Sequence, residues 1–267
     1  MKKVLVTGGA GFLGSHLCDR LVNEGHHVLC VDNYFTGSKK NIEHLLNNSN
    51  FEVIRQDVCF PLYVEVDEIY NLACPASPVH YQFNPIKTMK TSVMGAINTL
   101  GLAKRVGAKI LQASTSEVYG KTNVSPLTEG LPLVLGEPDK ARWAYACSKL
   151  LAEYLLLSLY RDKKIPLVVG RFFNVVGPRQ NQAYGAVIPN LLSQAIKGIR
   201  LTVFGDGTQT RSFCHVEDAV DVGEHGEAVL HTEEGARRVN APYIIDAVAT
   251  PQGPRPAHIK DRVRALG

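Results

Sequence analysis

The sequence of 267 residues lacks any apolar run that could cross a membrane. A membrane-spanning helix needs about 20 apolar residues, whereas the first apolar stretch, residues 4–6, ends at once in a glycine-rich segment. The same stretch is too short for the hydrophobic core of a signal peptide. We therefore expect a cytoplasmic protein with no membrane partner.

Patterns for disulfides, metal sites and nucleic-acid binding are also missing. The six cysteines contain no C-x-x-C pair, and the nine histidines show no metal-ligand spacing, so we expect free thiols and no metal. The net charge is only +4 and no long basic run occurs. This balance suits a small anionic ligand and argues against a nucleic-acid partner.

A glycine-rich turn stands near the start of the chain. The β-branched apolar run of residues 4–6 reads as a buried strand, and glycines follow at G-x-x-G-x-x-G spacing before helical periodicity begins. Such a turn lets the backbone approach a pyrophosphate, and the helix adds unpaired N–H groups; a turn without a ligand is the alternative. The residues predicted to contact the ligand here are Gly8, Gly11, Phe12, Leu13 and Gly14.

Asp32 follows a second apolar strand, residues 28–31. An acid at this place accepts hydrogen bonds from ribose hydroxyls and repels a 2′-phosphate, so the predicted cofactor is NAD rather than NADP. Asp57, after the third strand, could accept from the adenine amino group or could serve only as a turn residue. The further predicted cofactor contacts are Asn33, Thr36, Gly37, Asp57, Val58, Leu72, Thr91, Tyr145 and Lys149.

Strands alternate with helices through most of the chain. Further strands are predicted at residues 51–55, 68–72, 108–113, 167–171 and 201–204, and helices at residues 84–105, 139–161 and 187–197. This alternation is typical of an α/β fold with a doubly wound parallel sheet. We expect a dinucleotide-binding domain over residues 1–172 and a small substrate lobe over 173–267, shortened or atypical after about residue 222.

Tyr145 and Lys149 lie four residues apart on a predicted helix and so share one face. An ammonium beside a phenol lowers its pKa from ~10, so the tyrosine could take a proton from a sugar hydroxyl while NAD accepts a hydride. The alternative is a core tyrosine beside a solvated lysine. Thr115, Ser116 and Glu117 end the fifth strand, where open α/β sheets bind ligands.

These motifs together resemble the extended short-chain dehydrogenase/reductase superfamily, also called the NAD-dependent epimerase/dehydratase superfamily, which acts on nucleotide sugars. Residues 7–14 read T-G-x-x-G-x-x-G, residues 145–149 read Y-x-x-x-K, and residues 171–179 read R-x-F-N-x-x-G-P-R. The resemblance implies an enzyme with a Rossmann-like fold, bound NAD, a UDP-sugar substrate and a homodimer formed through the two long helices.

Within that superfamily, residues 61–73, 75–78, 84–88 and 114–120 look like the UDP-glucuronate decarboxylases. Dehydratases carry an Asp where this chain has Ser116, which counts against dehydration. The Y-A-C-S-K motif at residues 145–149 is closer to 4-epimerases, and Ala186 replaces the Arg usual in decarboxylases. The tail, residues 255–259 and 266–267, weakly resembles the C-terminal motif of the family. The stretch before it, residues 220–255, is shorter than is usual in the family.

The predicted function is decarboxylation of UDP-glucuronate to UDP-xylose through a 4-keto sugar. In this interpretation Tyr145 takes the 4-hydroxyl proton, Thr115 bonds to that oxygen, and Ser116 and Glu117 orient the carboxylate or handle a proton. A UDP-hexose 4-epimerase and a non-catalytic protein that binds NAD or a nucleotide sugar are the alternatives. The predicted catalytic residues are Tyr145, Lys149, Thr115, Ser116 and Glu117, and the predicted substrate contacts are Tyr81, Asn174, Arg179 and Arg211.

Overall fold

The computed structural model describes residues 1–124, 127–163, 165–181, 185–208, 211, 213–225, 229–232, 235–238 and 243–247. Its strands are β1 (Lys3–Thr7), β2 (His27–Asp32), β3 (Phe51–Arg55), β4 (Glu68–Asn71), β5 (Lys109–Thr115), β6 (Leu167–Phe172), β7 (Val175–Val176), β8 (Cys214–His215), β9 (Val229–Thr232), β10 (Gly235–Arg238) and β11 (Tyr243–Ala247). Seven of them form one sheet in the order β11-β6-β5-β4-β1-β2-β3, and every pairing in it is parallel. The predicted doubly wound, Rossmann-like parallel sheet is therefore confirmed.

Six α-helices accompany the strands in the described residues. They are α1 (Phe12–Asn23), α2 (Pro78–Phe83), α3 (Pro85–Val106), α4 (Arg142–Lys163), α5 (Val187–Ile196) and α6 (Val216–His225). The long helix α3 has clear local signals, because the side chain of Asn84 accepts from the backbone of Lys87 and Gly107 ends the helix at φ 73°. These caps explain why its limits agree with the prediction.

Apolar clusters cover both faces of the sheet. One cluster joins α1 and α6 to the sheet through residues such as Leu17, Leu21 and Val220. The other joins α3 and α4 to the opposite face through Leu100 and Leu156. Because the chain crosses to the other face between β3 and β4, β1 and β4 are neighbours at a topological switch point, where open α/β sheets bind ligands.

Two local predictions differ from the structure. The predicted strand at residues 201–204 is wrong: the segment is irregular, and Phe204 is 82% exposed. Apolar residues there mimic a buried strand, but the sheet does not extend to them. The short helix α2 was not predicted, because the prolines around it favoured a loop.

The tail motif at residues 255–259 and 266–267 lies outside the described residues. The proposed boundary between residues 172 and 173 stays a prediction. Within the predicted lobe, however, β11 pairs with β6 and so adds an edge strand to the main sheet.

In the part of the chain that is described, no helix is both long enough and apolar enough to cross a membrane. The same residues contain no group of three or more His, Cys, Asp or Glu side chains that could hold a metal ion. All six cysteines are free thiols.

Candidate active site

A cleft of about 720 Å³ lies at the carboxyl edge of the sheet, over the switch point. Its walls come from the glycine-rich turn, the ends of β2 and β4, and the segments that follow β6 and precede α5. The predicted site residues that line it are Gly8, Gly11, Phe12, Leu13, Gly14, Asp32, Asn33, Thr36, Val58, Leu72, Thr91, Asn174, Arg179 and Arg211. The structure thus brings most of the predicted cofactor set together.

The glycine-rich turn is packed too closely for side chains. Gly8 has φ 71°, and a Cβ atom on it would lie 2.9 Å from Cα of Ala73. A Cβ on Gly14 would lie only 2.2 Å from the carbonyl oxygen of Gly8. Gly11 caps α1 without a side-chain hydrogen bond, and the first turn of the helix contains no acid. The positive end of the helix therefore faces the cleft without a competing anion, as a pyrophosphate site requires.

Asp32 is held rigidly at the end of β2. Its Oδ2 accepts from the backbone of Ala10 at 3.0 Å and its Oδ1 from the backbone of Tyr34 at 2.8 Å. Burial raises the pKa of this carboxyl, and the backbone hydrogen bonds partly oppose that rise. Asp32 lines the cleft, so its carboxylate is placed to accept from the hydroxyls of a ribose.

Asp57 is not among the residues that line the cleft. Its Oδ2 accepts from Nζ of Lys87 at 2.5 Å and from Nδ2 of Asn33 at 3.1 Å. Burial opposes ionisation, but the hydrogen bonds from Lys87 and Cys59 outweigh it and hold the pKa of Asp57 well below its usual range. The structure therefore gives Asp57 a supporting place behind Lys87 and Asn33, and its contact with adenine stays a prediction.

Gly37 is likewise absent from the walls of the cleft. It packs against Asp32, since a Cβ atom on Gly37 would lie 2.9 Å from Oδ2 of that residue. Its small size thus keeps the Asp32 carboxylate in place.

The predicted catalytic residues meet where β5 ends beside α4. Thr115 is the last residue of β5, and its side chain hydrogen-bonds to that of Tyr145 on α4. Lys149, one turn further along α4, donates from Nζ to the carbonyl oxygen of Ala113 at 2.9 Å. The structure therefore places Thr115, Tyr145 and Lys149 together, as the spacing of Y-x-x-x-K predicts.

Tyr145 is covered by a second aromatic ring. It is 5% exposed, and its ring stacks on that of Tyr81 with centroids 4.8 Å apart and planes 3° from parallel. Burial raises the pKa of the Tyr145 phenol well above its usual value, nearby Cys74 raises it further, and the hydrogen bond from Thr115 lowers it. Lys149 is not among the groups that shift this pKa, since its ammonium donates to Ala113, and its predicted effect on Tyr145 stays a prediction.

Ser116 and Glu117 begin a 3₁₀ helix that continues β5. The backbone N–H of Glu117 donates to Oγ1 of Thr115 at 3.2 Å. The carboxylate of Glu117 faces Arg142 at 3.5 Å, and its side chain is 41% exposed. Ser116 is half-buried beside it. Neither residue lines the cleft, so their contact with a substrate carboxylate stays a prediction.

The predicted substrate contacts fall into two groups. Asn174, Arg179 and Arg211 line the cleft, whereas Tyr81 covers Tyr145. Nη2 of Arg179 pairs with Oδ2 of Asp19 at 2.7 Å, and its buried Nη1 has no hydrogen-bond partner among the described residues. Lys87 also lines the cleft, so three basic side chains border it, although Lys87 and Arg179 are each paired with an aspartate outside its walls.

Several lining residues were not predicted as contacts. They follow β4 and begin the next helices, and they are Cys74, Pro75, Ala76, Ser77, His80 and Lys87. The signal that could have found them is the end of β4, since neighbouring parallel strands deliver their carboxyl ends to one edge of the sheet.

Comparisons with known proteins show similarity over most of this chain. Two curated relatives are "UDP-glucuronic acid decarboxylase 6" of Arabidopsis thaliana, 52% identical over 220 residues, and "UDP-glucuronic acid decarboxylase 1" of Xenopus tropicalis, 50% identical over 220 residues. Each match covers 82% of this chain, but 64% of the first relative and 52% of the second. The chain thus spans between about half and two thirds of the length of these curated relatives.

A solved structure extends the comparison to the fold. It is the UDP-glucuronic acid 4-epimerase from Bacillus cereus in complex with UDP-glucuronic acid and NAD, 30% identical with a TM-score of 0.75. The similarity covers 92% of this chain and 77% of that one. A family model described as "Protein of unknown function (DUF2849)" matches residues 205–267, and another, "NAD dependent epimerase/dehydratase family", matches residues 4–225. On the strength of that longer match, this chain belongs to the NAD-dependent epimerase/dehydratase family.

Proposed function

We propose that this protein catalyses the NAD-dependent decarboxylation of UDP-glucuronate to UDP-xylose. The observation that carries the proposal is the identity of 50% or more, over 220 residues, to two proteins named UDP-glucuronic acid decarboxylases. The basic side chains that line the cleft, Lys87, Arg179 and Arg211, support it, because a UDP-uronate carries negative charge at both ends.

NAD is the cofactor that fits the cleft. The glycine-rich turn and the uncapped start of α1 would hold its pyrophosphate, and Asp32 would accept from its adenosine ribose. When bound, NAD supplies the hydride acceptor and donor of the reaction. The chain itself must bind and orient the sugar and move its protons.

The residues that would move these protons lie where β5 ends beside α4. Tyr145 would take the proton of the sugar 4-hydroxyl, and Thr115 would hydrogen-bond at the same place. A ketone at C4 makes the sugar a β-keto carboxylate, which loses carbon dioxide because the ketone oxygen accepts the electron pair. Ser116 and Glu117 would orient that carboxylate.

The test of this function is incubation with UDP-glucuronate, UDP-glucose and UDP-galactose in separate reactions. We expect carbon dioxide and UDP-xylose from UDP-glucuronate, identified by mass, and no product from the two hexoses. Interconversion of the hexoses without carbon dioxide release would instead assign a 4-epimerase. No product from any of the three would support a protein that only binds its ligands.

A 4-epimerase is the second candidate, and a specific observation favours it. Ala186 lines the cleft at the start of α5, where the decarboxylase resemblance leads us to expect an Arg. The structurally similar Bacillus cereus 4-epimerase was solved with UDP-glucuronic acid and NAD. Retention of the carboxylate in an epimerised UDP-glucuronate product would support this candidate over the first.

Glu117→Gln should separate sugar oxidation from decarboxylation. We expect unchanged NAD binding but release of carbon dioxide slower by ~10²-fold, because the amide cannot exchange a proton. NADH should then accumulate, which its absorbance would report. The control is Arg142→Gln, which removes the ion-pair partner of Glu117 but leaves its carboxyl. If NADH formation slows as much as carbon dioxide release, Glu117 does not act on the carboxylate.

Cofactor choice gives a second prediction. NAD should bind at least ~10-fold more tightly than NADP, because the Asp32 carboxylate repels a 2′-phosphate. Asp32→Asn should reduce the preference for NAD over NADP. Asp57→Asn should leave that preference unchanged, because the Asp57 carboxylate is already bonded to Lys87 and Asn33. Titration of the three proteins with both cofactors makes the comparison. Equal or tighter binding of NADP by the unaltered chain would overturn the role of Asp32.

We also propose a homodimer formed through α3 and α4. Apolar residues on these helices stay exposed, among them Ile97 at 44%, Leu151 at 43% and Tyr154 at 61%. Pairing with a second copy would remove this area from water. Sedimentation at micromolar concentration should therefore show a dimer, and Leu151→Glu should give monomers. Phe204→Glu, at an apolar site elsewhere that is more exposed at 82%, is the control and should leave the dimer intact.

A reducing, cytoplasmic setting is the last part of the proposal. The side chains of Cys18 and Cys30 are in contact inside the fold, yet both are free thiols. Such a pair persists where thiols are kept reduced.

A further inference from the structure

A row of buried polar side chains crosses the sheet beside the cleft. Thr7, Asn71 and Gln112 occupy matching register positions on β1, β4 and β5. Oγ1 of Thr7 donates to Oδ1 of Asn71 at 2.7 Å, and Nδ2 of Asn71 donates to Oε1 of Gln112 at 2.7 Å. None of the three is more than 2% exposed, so water cannot replace these partners.

The row begins at the glycine-rich turn. Oγ1 of Thr7 accepts from the backbone N–H of Ala73 at 3.3 Å, and Ala73 is the residue against which Gly8 packs. The hydroxyl of Thr7 thus accepts from Ala73 and donates to Asn71. At the other end the carbonyl oxygen of Ala113 can only accept, which fixes the orientation of the Gln112 amide and in turn that of the Asn71 amide.

The row ends at the acceptor of Lys149. Nε2 of Gln112 donates to the carbonyl oxygen of Ala113 at 3.0 Å, and Nζ of Lys149 donates to the same oxygen at 2.9 Å. Lys149 is 3% exposed, so its ammonium depends on protein acceptors. Both acceptor positions of this carbonyl are therefore occupied, one by the row and one by the lysine.

We propose that Gln112 is a positioning residue for Lys149, acting through the carbonyl of Ala113, and that the row links the glycine-rich turn to that ammonium. The inference rests on the proposed function, together with the sequence-based prediction that Lys149 acts beside Tyr145 and contacts the cofactor. Without the Gln112 amide, Asn71 loses its acceptor and the Ala113 carbonyl loses its fixed direction. Lys149 then moves away from its working position.

A double-mutant cycle tests this link. Gln112→Met, Lys149→Met and the double variant are compared in the rate of carbon dioxide release from UDP-glucuronate and in the Kd of NADH measured by fluorescence. Gln112→Met alone should lower the rate by ~10-fold and weaken NADH binding, but in the Lys149→Met background it should change either readout by less than ~2-fold. Equal factors in both backgrounds would mean a merely structural role and would overturn the proposal.

Two further variants distinguish a specific effect of Gln112 from a general loss of folding. Gln112→Glu keeps an acceptor for Asn71 but removes the donor to Ala113, so it should reproduce the defect of Gln112→Met. Thr99→Val removes another buried hydroxyl, whose bond to the carbonyl of Gly95 lies within α3, and should leave both readouts unchanged. If the unaltered chain releases no carbon dioxide, the proposed function fails, and the NADH cycle still decides the role of Gln112.

Discussion

Tyr145→Phe should lower the turnover of UDP-glucuronate by ~10³-fold or more, because the phenol is the group proposed to move the proton of the sugar hydroxyl. The ring itself remains and can still stack on Tyr81. The fold should therefore persist, and NAD should still bind at the glycine-rich turn. Measurement of carbon dioxide release, together with a thermal unfolding curve, separates loss of chemistry from loss of structure.

A matched control is Tyr70→Phe. Tyr70 is also a buried tyrosine, 3% exposed on β4, and its hydroxyl donates to Oε2 of Glu68 at 3.3 Å. It lies away from the reacting groups, so its variant should keep most of the activity. Comparable activity in the Tyr145→Phe and Tyr70→Phe proteins would remove Tyr145 from the mechanism.

Arg171→Met should destabilise the protein by about 3–5 kcal/mol, because it leaves a buried carboxylate without its cation. Glu153 on α4 accepts from Nε of Arg171 at 3.1 Å and from Nη2 at 2.7 Å, and both side chains are about 2–3% exposed. Ser114 also donates to Glu153, and the guanidinium lies 4.8 Å from the centre of the Tyr119 ring. Urea denaturation followed by circular dichroism would give the free energy of unfolding.

Two companion variants define this prediction. Arg105→Met breaks a surface ion pair with Glu65, whose side chain is 76% exposed, and should cost no more than about 1 kcal/mol. The double variant Glu153→Leu/Arg171→Met removes both buried charges and should recover much of the lost stability. An equal loss for Arg171→Met and Arg105→Met would show that burial of the pair adds nothing.

The parts of the site that could be predicted are those defined by neighbouring residues. The glycine-rich turn and the carboxylate of Asp32 lie directly beside strands whose apolar runs are visible in the sequence. The place of Tyr145 next to Thr115 could also be predicted. Residues four apart lie on one face of a helix, and the carboxyl ends of parallel strands lie at one edge of the sheet.

The features that could not be predicted depend on contacts between side chains that are far apart in the sequence. The ion pair of Asp57 with Lys87, 30 residues later, was not predicted. The stacking of Tyr81 on Tyr145 was not predicted either, because Tyr81 lies on an unpredicted helix, and burial raises the pKa that Lys149 was expected to lower. The polar row from Thr7 to Gln112 joins three strands, and no spacing within one strand reveals it.

The stacked pair of tyrosines also has a kinetic consequence. Tyr145 is only 5% exposed and its ring is covered by that of Tyr81, so displacement of α2 would open the approach of a sugar hydroxyl to the phenol. The six residues of α2 would then act as a gate, and its opening rate would set an upper limit on turnover. Small alcohols that cannot displace the gate should not be oxidised. Hydride transfer to NAD would then occur only after a full nucleotide sugar has entered the cleft.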